Sequence, residues 1–153
     1  MALKPGDIAP GINSSDQNGN PLNLADFKGS KVIVYFYPKD DTPGCTAEAC
    51  SLRDGYSDLL NKGFKIIGIS ADNSKSHKKF SDKYHLPFPL VPDTDKEIIK
   101  AYGVWGKKKF MGREFDGIIR TTFIIGEDGK IIKVIDDVKT KNHSEQILSE
   151  MGI

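Results

Sequence analysis

Two apolar runs set the limits on what this chain can fold into. "KVIVYFY" (31–37) and "FKIIGIS" (64–70) are continuous, β-branched and aromatic. They lack the apolar–polar alternation of a half-exposed strand, so each reads as a strand covered on both faces. Between them, Ala49, Leu52, Tyr56, Leu59 and Leu60 recur at helical spacing and form one apolar face. Pro43 suits a first helical turn, Thr42 or Asp41 can cap it, and Asn61-Lys62-Gly63 supplies a stop. Buried strand, helix and buried strand favour a right-handed parallel crossover, hence an α/β class.

The remaining segments fill out that class. "QNGNPLNL" carries the turn pair Asn18-Gly19, which predicts a small N-terminal hairpin over residues 8–24. Residues 73–85 read as a polar helix, "FPLVPD" as a short strand, and 95–103 as a short helix ended by Gly103. "IIRTTFII" (118–125) and "KIIKVID" (130–136), joined by Glu127-Asp128-Gly129, predict a second hairpin, and 142–151 a closing helix. The expected result is one domain over 1–153, a mixed central sheet with helices on both faces.

Charge and hydropathy exclude several functions. The net charge is +1, so bulk charge gives no reason to expect a nucleic-acid or membrane partner. No apolar run approaches the ~20 residues that span a bilayer. The N-terminal stretch lacks the apolar core of a secretory signal, so the expected compartment is the reducing cytoplasm.

In that compartment the only two cysteines, Cys45 and Cys50, stand out. Three readings compete: buried small hydrophobes, a metal site, or redox chemistry. Zinc would need further ligands, and His77, His85 and His143 are scattered. Cys45 follows a buried strand and a turn and opens a helix. Free N–H groups and the positive end of the helix dipole favour a thiolate there. Cys50 lies off the apolar face.

The stretch "YFYPKDDTPGCTAEACSLRDGY" resembles the active-site segment of peroxiredoxins, and more narrowly of the Q-type, or bacterioferritin comigratory, subfamily. The family pattern Pro-x-x-x-Thr-x-x-Cys is met by Pro38, Thr42 and Cys45, and the subfamily's second cysteine by Cys50. "GIIRTTFII" resembles the strand carrying the family's arginine, which places that role on Arg120, and "AYGVWG" also fits the subfamily. The resemblance implies a thioredoxin-like fold and reduction of hydroperoxides with no cofactor or metal. Cys45 would attack the peroxide and become a sulfenic acid. Cys50 would then resolve it as an intramolecular disulfide, and a thioredoxin-like reductant would reopen that bond. Because the resolving thiol lies in the same chain, a monomer is expected.

The chemistry assigns the neighbours. Thr42 can offer a hydroxyl, Gly44 and Cys45 backbone N–H groups, and Arg120 a permanent cation with fork geometry. Pro38, which has no donor, would shield the pocket. Taken singly, Pro38 could merely end a strand, Thr42 cap a helix, and Arg120 pair on the surface. Glu48 is expected as a surface acid favoured by the helix dipole, with a polar link to Arg120 the alternative, and Arg53 on the helix surface. "GKKKFMGREF" (106–115) reads as a basic solvated loop, alternatively a contact for the reductant. Two other functions remain open: a thioredoxin-like disulfide reductase, against which the C-x-x-x-x-C spacing speaks, and a redox-gated binding protein.

Spacing also predicts a conformational step. On a regular helix, residues five apart have Cα atoms roughly 8.5 to 9 Å apart. A disulfide needs about 4.4–6.8 Å. An intact helix in the reduced protein therefore keeps the two sulfurs apart, and oxidation must unwind residues around 45–50.

Overall fold

The computed structural model describes residues 3–153, apart from the side chain of Phe110. The chain opens with a hairpin of β1 (Asn13–Ser15) and β2 (Pro21–Asn23), as the Asn-Gly turn predicts. The buried runs become β3 (Lys31–Phe36) and β4 (Phe64–Ser70), paired in parallel from Lys31↔Phe64 to Phe36↔Ile69. Between them lie α1 (Pro43–Asp54) and α2 (Tyr56–Asn61). The single helical segment expected there is broken at Gly55, whose N–H closes on Ser51 O at 3.0 Å. An ideal Cβ on Gly55 would lie 2.7 Å from Ser144 Cβ, so the missing side chain lets the C-terminal helix approach the break.

The chain continues through α3 (Ser74–Tyr84), β5 (Leu90–Pro92), α4 (Glu97–Ala101), β6 (Trp105–Phe110) and β7 (Arg113–Ile118). It ends with β8 (Thr121–Ile125), β9 (Ile131–Ile135) and α5 (His143–Met151). The main sheet runs β5-β4-β3-β8-β9. The first three strands are parallel, while β8 and β9 are antiparallel to their neighbours, so the sheet is mixed.

Two expectations change. Residues 106–115 are not a solvated loop: they form most of the antiparallel β6–β7 ribbon, which packs apart from the main sheet. "IIRTTFII" is not one strand, because β7 ends at Ile118 and β8 starts at Thr121. Arg120 falls in the break, at the junction of ribbon and sheet.

The alternation of β3 explains why its sequence is apolar throughout. Val32, Val34 and Phe36 face a core completed by Ile67, Ile69 and Val91, with Ile99 and Tyr102 and the N-terminal Ile12, Leu22 and Leu24. Ile33, Tyr35 and Tyr37 face the opposite core, built with Cys45, Ala49 and Leu52 of α1, Phe80 of α3 and Ile147 of α5. Both faces of the strand exclude water, so a polar residue on either would stand unpaired. The C-terminal end of β3 then delivers the chain into the turn that starts α1. Tyr35 pairs with Thr122 across β3–β8, so both side chains point toward the α1 side of the sheet.

Candidate active site

The turn between β3 and α1 is pinned from below. Tyr37 Oη donates to Asp40 Oδ1 at 2.6 Å, and Ser76 Oγ donates to Asp40 Oδ2 at 2.8 Å. His77 Nδ1 lies 2.7 Å from that same oxygen, with its Nε2 3.0 Å from Val91 O. The Asp40 N–H donates to Asp72 Oδ2 at 2.8 Å. Asp41 takes a left-handed φ of 58°. Its carboxylate accepts from Lys83 Nζ and Tyr84 Oη at 2.8 Å each, and these bonds hold its pKa below the usual value. The turn therefore has side-chain anchors on α3 and, through the Asp40 N–H, an anchor on the Asp72 carboxylate just past β4, which fix where α1 begins.

Thr42 occupies the N-cap position but does not cap with its side chain. Its hydroxyl donates back to Lys39 O at 2.9 Å, tightening the turn and leaving its lone pairs open. Pro43 stands at the first helical position, where the missing N–H costs nothing. Gly44 and Cys45 follow in the first turn, whose N–H groups have no intrahelical acceptor. Pro38 is half-buried at the end of the β3 extension.

Arg120 reaches this helix start from the β7–β8 junction. Its Nη2 lies 3.2 Å from Cys45 Sγ, and its Nη1 donates to Glu48 Oε1 at 2.6 Å. One guanidinium thus spans two residues three apart on the same helical face. An ideal Cβ on Gly44 would sit 3.2 Å from Arg120 Nη2. Glycine leaves the space in which the arginine lies against the helix, a role its sequence position alone does not reveal. Burial works against the Arg120 cation, yet Glu48 and Cys45 hold its pKa above the usual guanidinium value. Cys45 is 1% exposed, while the Arg120 side chain keeps 23% of its surface in solvent. The site is a buried sulfur with a partly exposed cation at its mouth.

Glu48 corrects the expectation of a surface acid. It is fully buried, and its Oε2 has no hydrogen-bond partner. Burial pushes its pKa from 4.5 up to about 7 against the pull of Arg120. Its position three residues after Cys45 was the available signal: that spacing places both side chains on one face. Lys108 is a second residue the sequence did not single out. Its ammonium donates to Ile118 O at 2.8 Å, and desolvation followed by Arg120 lowers its pKa, with Cys45 acting in the opposite sense. The β6–β7 ribbon so brings a further cation toward the site. Arg53, expected on the surface, is half-buried and donates through Nη1 to Tyr84 O at 2.8 Å. Cys50 sits within α1, half-buried, and both thiols are free.

A cysteine at a helix start, held by an arginine fork and a buried glutamate, is an arrangement for thiol chemistry on an anion-developing substrate. The sequence model of the AhpC/TSA family matches residues 5–134. The chain belongs to the AhpC/TSA family. It is 48% identical over 147 residues to peroxiredoxin Bcp of Escherichia coli K12, covering 96% of this chain and 94% of that protein. Among solved structures it is similar to Xanthomonas campestris bacterioferritin comigratory protein, studied for its alkyl peroxide reduction activity. That match has TM-score 0.85 and 33% identity, covering 92% of this chain and 90% of the other. It is also similar to a Cys-to-Ser mutant of Xylella fastidiosa PrxQ, with TM-score 0.88 and 30% identity, covering 99% and 97%. The fold is the thioredoxin fold of these peroxiredoxins, and the activity of the family is thiol-dependent peroxidase chemistry, drawing on hydroperoxide and a thiol reductant. Among the described residues no helix is long and apolar enough to cross a membrane.

The buried glutamate of this peroxiredoxin gives stability a definite pH dependence. The folded protein holds a proton on Glu48 that the unfolded chain releases at about 4.5. This contribution is complete below the unfolded value and is lost as the pH rises through about 7. Glu48→Gln cannot titrate. The unfolding free energy of wild type relative to Glu48→Gln, from urea titrations, should fall between about pH 4.5 and 7. A difference that stays constant across that window contradicts the raised value.

Proposed function

We propose that Cys45 is the peroxide-attacking thiol and Cys50 the resolving thiol of a thioredoxin-dependent peroxidase. The observation that carries this reading is the 3.2 Å contact between Arg120 Nη2 and Cys45 Sγ at the start of α1. A guanidinium N–H aimed at sulfur serves a thiolate better than a thiol, and the thiolate is the nucleophile.

The Cys45 thiolate attacks one oxygen of a hydroperoxide, and the O–O bond breaks. Sulfur is oxidised to the sulfenic acid and keeps that oxygen, while the other oxygen leaves as alkoxide or hydroxide and takes a proton from solvent. The charge growing on the leaving oxygen is the part that needs catalysis, since stabilising the thiolate alone makes it a poorer nucleophile. Arg120, with 23% of its side chain in solvent, and the first-turn N–H groups of α1 are the donors available for that oxygen. The Thr42 hydroxyl, bonded to Lys39 O, presents its lone pairs to the protonated peroxide oxygen. Pro38 limits access of water to the sulfenic acid.

The Cys50 thiol then attacks Cys45 sulfur, water leaves, and a disulfide forms. A thioredoxin-like dithiol reduces that disulfide and is itself oxidised. The class of substrate is hydrogen peroxide and alkyl hydroperoxides, in keeping with the Xanthomonas relative. The cycle needs no second subunit, no nucleic acid and no membrane, and it fits a monomer in the cytoplasm.

Both thiols belong to one regular helix, so the disulfide cannot form in place. Resolution therefore opens α1, beginning at its first turns, the end of a helix being the part that opens at least cost.

A coupled assay with peroxide, thioredoxin, its reductase and NADPH tests the roles. Cys45→Ser should lose peroxide-dependent NADPH consumption, and Cys50→Ser should react once and stall as the sulfenic acid. Near-wild-type turnover in Cys45→Ser, or reduction of insulin without peroxide consumption, contradicts the assignment. Hydrogen exchange tests the opening: amides of residues 45–55 should lose protection after peroxide treatment. Equal protection in both forms, with mass spectrometry confirming the Cys45–Cys50 bond, rules out unwinding.

A further inference from the structure

The last turn of α1 is tied to the ends of two neighbouring helices. Ser51 Oγ accepts the Ser144 N–H at 3.1 Å and lies 3.4 Å from Ser144 Oγ, and both residues are buried. Ser144 belongs to the first turn of α5, whose N–H groups have no intrahelical acceptor. Asn142, the residue before that helix, makes no side-chain cap. Ser51 therefore supplies from α1 the capping oxygen that α5 lacks in its own segment. Two residues on, Arg53 Nη1 donates to Tyr84 O at 2.8 Å. Tyr84 is the last residue of α3, so its carbonyl is one the helix cannot satisfy by itself. Between these two ties, Leu52 is fully buried in the core. The close approach of Ser144 to Gly55 adds a third contact with α5.

The earlier turns of α1 are held differently. Residues 43–50 contain no large apolar side chain, and the buried ones among them are Cys45, Glu48 and Ala49. Lifting Cys45 and Ala49 from the core exposes little apolar surface, whereas lifting Leu52 exposes a full side chain. Glu48 regains hydration when it leaves, since burial is what pushes its carboxyl up to about 7. Arg120, the partner of Glu48 and Cys45, already keeps part of its side chain in solvent. Opening through Cys50 therefore breaks the Arg120 contacts. Opening further also strips the start of α5 and the end of α3 of their partners.

We propose that Ser51 and Arg53 are positioning residues for resolution: they stop the opening of α1 after Cys50, so that residues 43–50 unwind while the last turn stays docked. The place of this opening in a catalytic cycle rests on the peroxidase reading, but its extent does not depend on which oxidant makes the disulfide. The upstream limit is the turn anchored through Asp40 and Asp41. From Thr42 to Ser51 the helix spans about 13.5 Å, while the same stretch extended reaches about 30 Å. Both ends can stay in place and still leave slack for the two thiols to meet. Cys50 swings on a fixed neighbour, which keeps it close to Cys45. After reduction, the docked turn is a ready nucleus on which the segment rewinds, so the costly first step of helix formation is avoided.

Diamide, an azo oxidant that takes two electrons and two protons from a dithiol, makes the Cys45–Cys50 disulfide without peroxide, and mass spectrometry confirms the bond. Residue-resolved hydrogen exchange by NMR then compares the reduced and disulfide forms. In wild type, amides 51–54 should lose protection with the open segment, because their helical acceptors are the carbonyls of 47–50. The Ser144 amide, bonded to Ser51, and the Leu59 amide, bonded to Gly55 O at 3.0 Å, should change by less than about twofold. In the double variant Ser51→Ala/Arg53→Met the opening should run on. There, disulfide formation should lower protection at Leu59 by about tenfold or more, the scale of losing two hydrogen bonds. A merely structural loss would lower protection in the reduced and disulfide forms alike. If the double variant does not fold, wild type and Arg53→Met decide, the latter with a smaller shift at Leu59. Lost protection at Ser144 in the wild-type disulfide form overturns the proposal. So does an opening that ends at the same residue in the folded variants, or failure of diamide to join the two thiols. A disulfide that forms with diamide but not with peroxide overturns the peroxidase reading instead.

Discussion

The double contact of Arg120 organises the site. One guanidinium touches Cys45 Sγ at 3.2 Å and Glu48 Oε1 at 2.6 Å. Its fork fits two acceptors at once, where a single ammonium would have to choose. The acceptors lie three residues apart on one helix, so the contact also fixes the rotation of α1 about its axis. The arginine itself sits in the short break between an outlying ribbon and the central sheet. Three parts of the chain, the α1 start, the β6–β7 ribbon and β8, therefore meet at one cation.

A charged contact with one partner fully buried is poor at stabilising a fold, because desolvation offsets much of its attraction. Its value lies in holding a charge ready at a defined place. Glu48, pushed up to about 7 by burial, gives the pair an adjustable partner. The Asp40 anchor beneath the turn supplies rigidity on the other side, through Tyr37, Ser76 and His77. An anchored turn on one side and a helix that opens on the other are what the proposed cycle requires, one thiol reacting in place and the second travelling.

Much of this was legible in the sequence. The two apolar runs read as buried strands because they are short and rich in β-branched and aromatic residues, and the Asn18-Gly19 and Asp128-Gly129 turns mark both hairpins. Pro38, Thr42, Cys45 and Cys50 are local in sequence, so their placement along one turn and helix could be read directly. The misses were of two kinds. Glu48 looked solvated because a lone acid on an early helical turn usually is; its burial follows from Arg120, seventy-two residues away. The ribbon at 106–115 looked like a loop because its lysines obscure the alternation of an exposed hairpin. His143 gave no sequence sign of its burial, which depends on where α5 docks against α1 and β8. Long-range charge pairing hid the burial of Glu48, while the ribbon was hidden by its own lysine-rich pattern.

The central claim is that the fork of Arg120 prepares Cys45 for reaction. Stopped-flow measurement of Cys45 oxidation by hydrogen peroxide in Arg120→Ala and Arg120→Lys tests it most directly. The account predicts a rate lower by about 10²-fold or more in Arg120→Ala, the scale of losing one electrostatic stabiliser. Arg120→Lys should recover only part of the rate, because it restores the charge without the fork. An unchanged oxidation rate in folded Arg120→Ala would contradict the account.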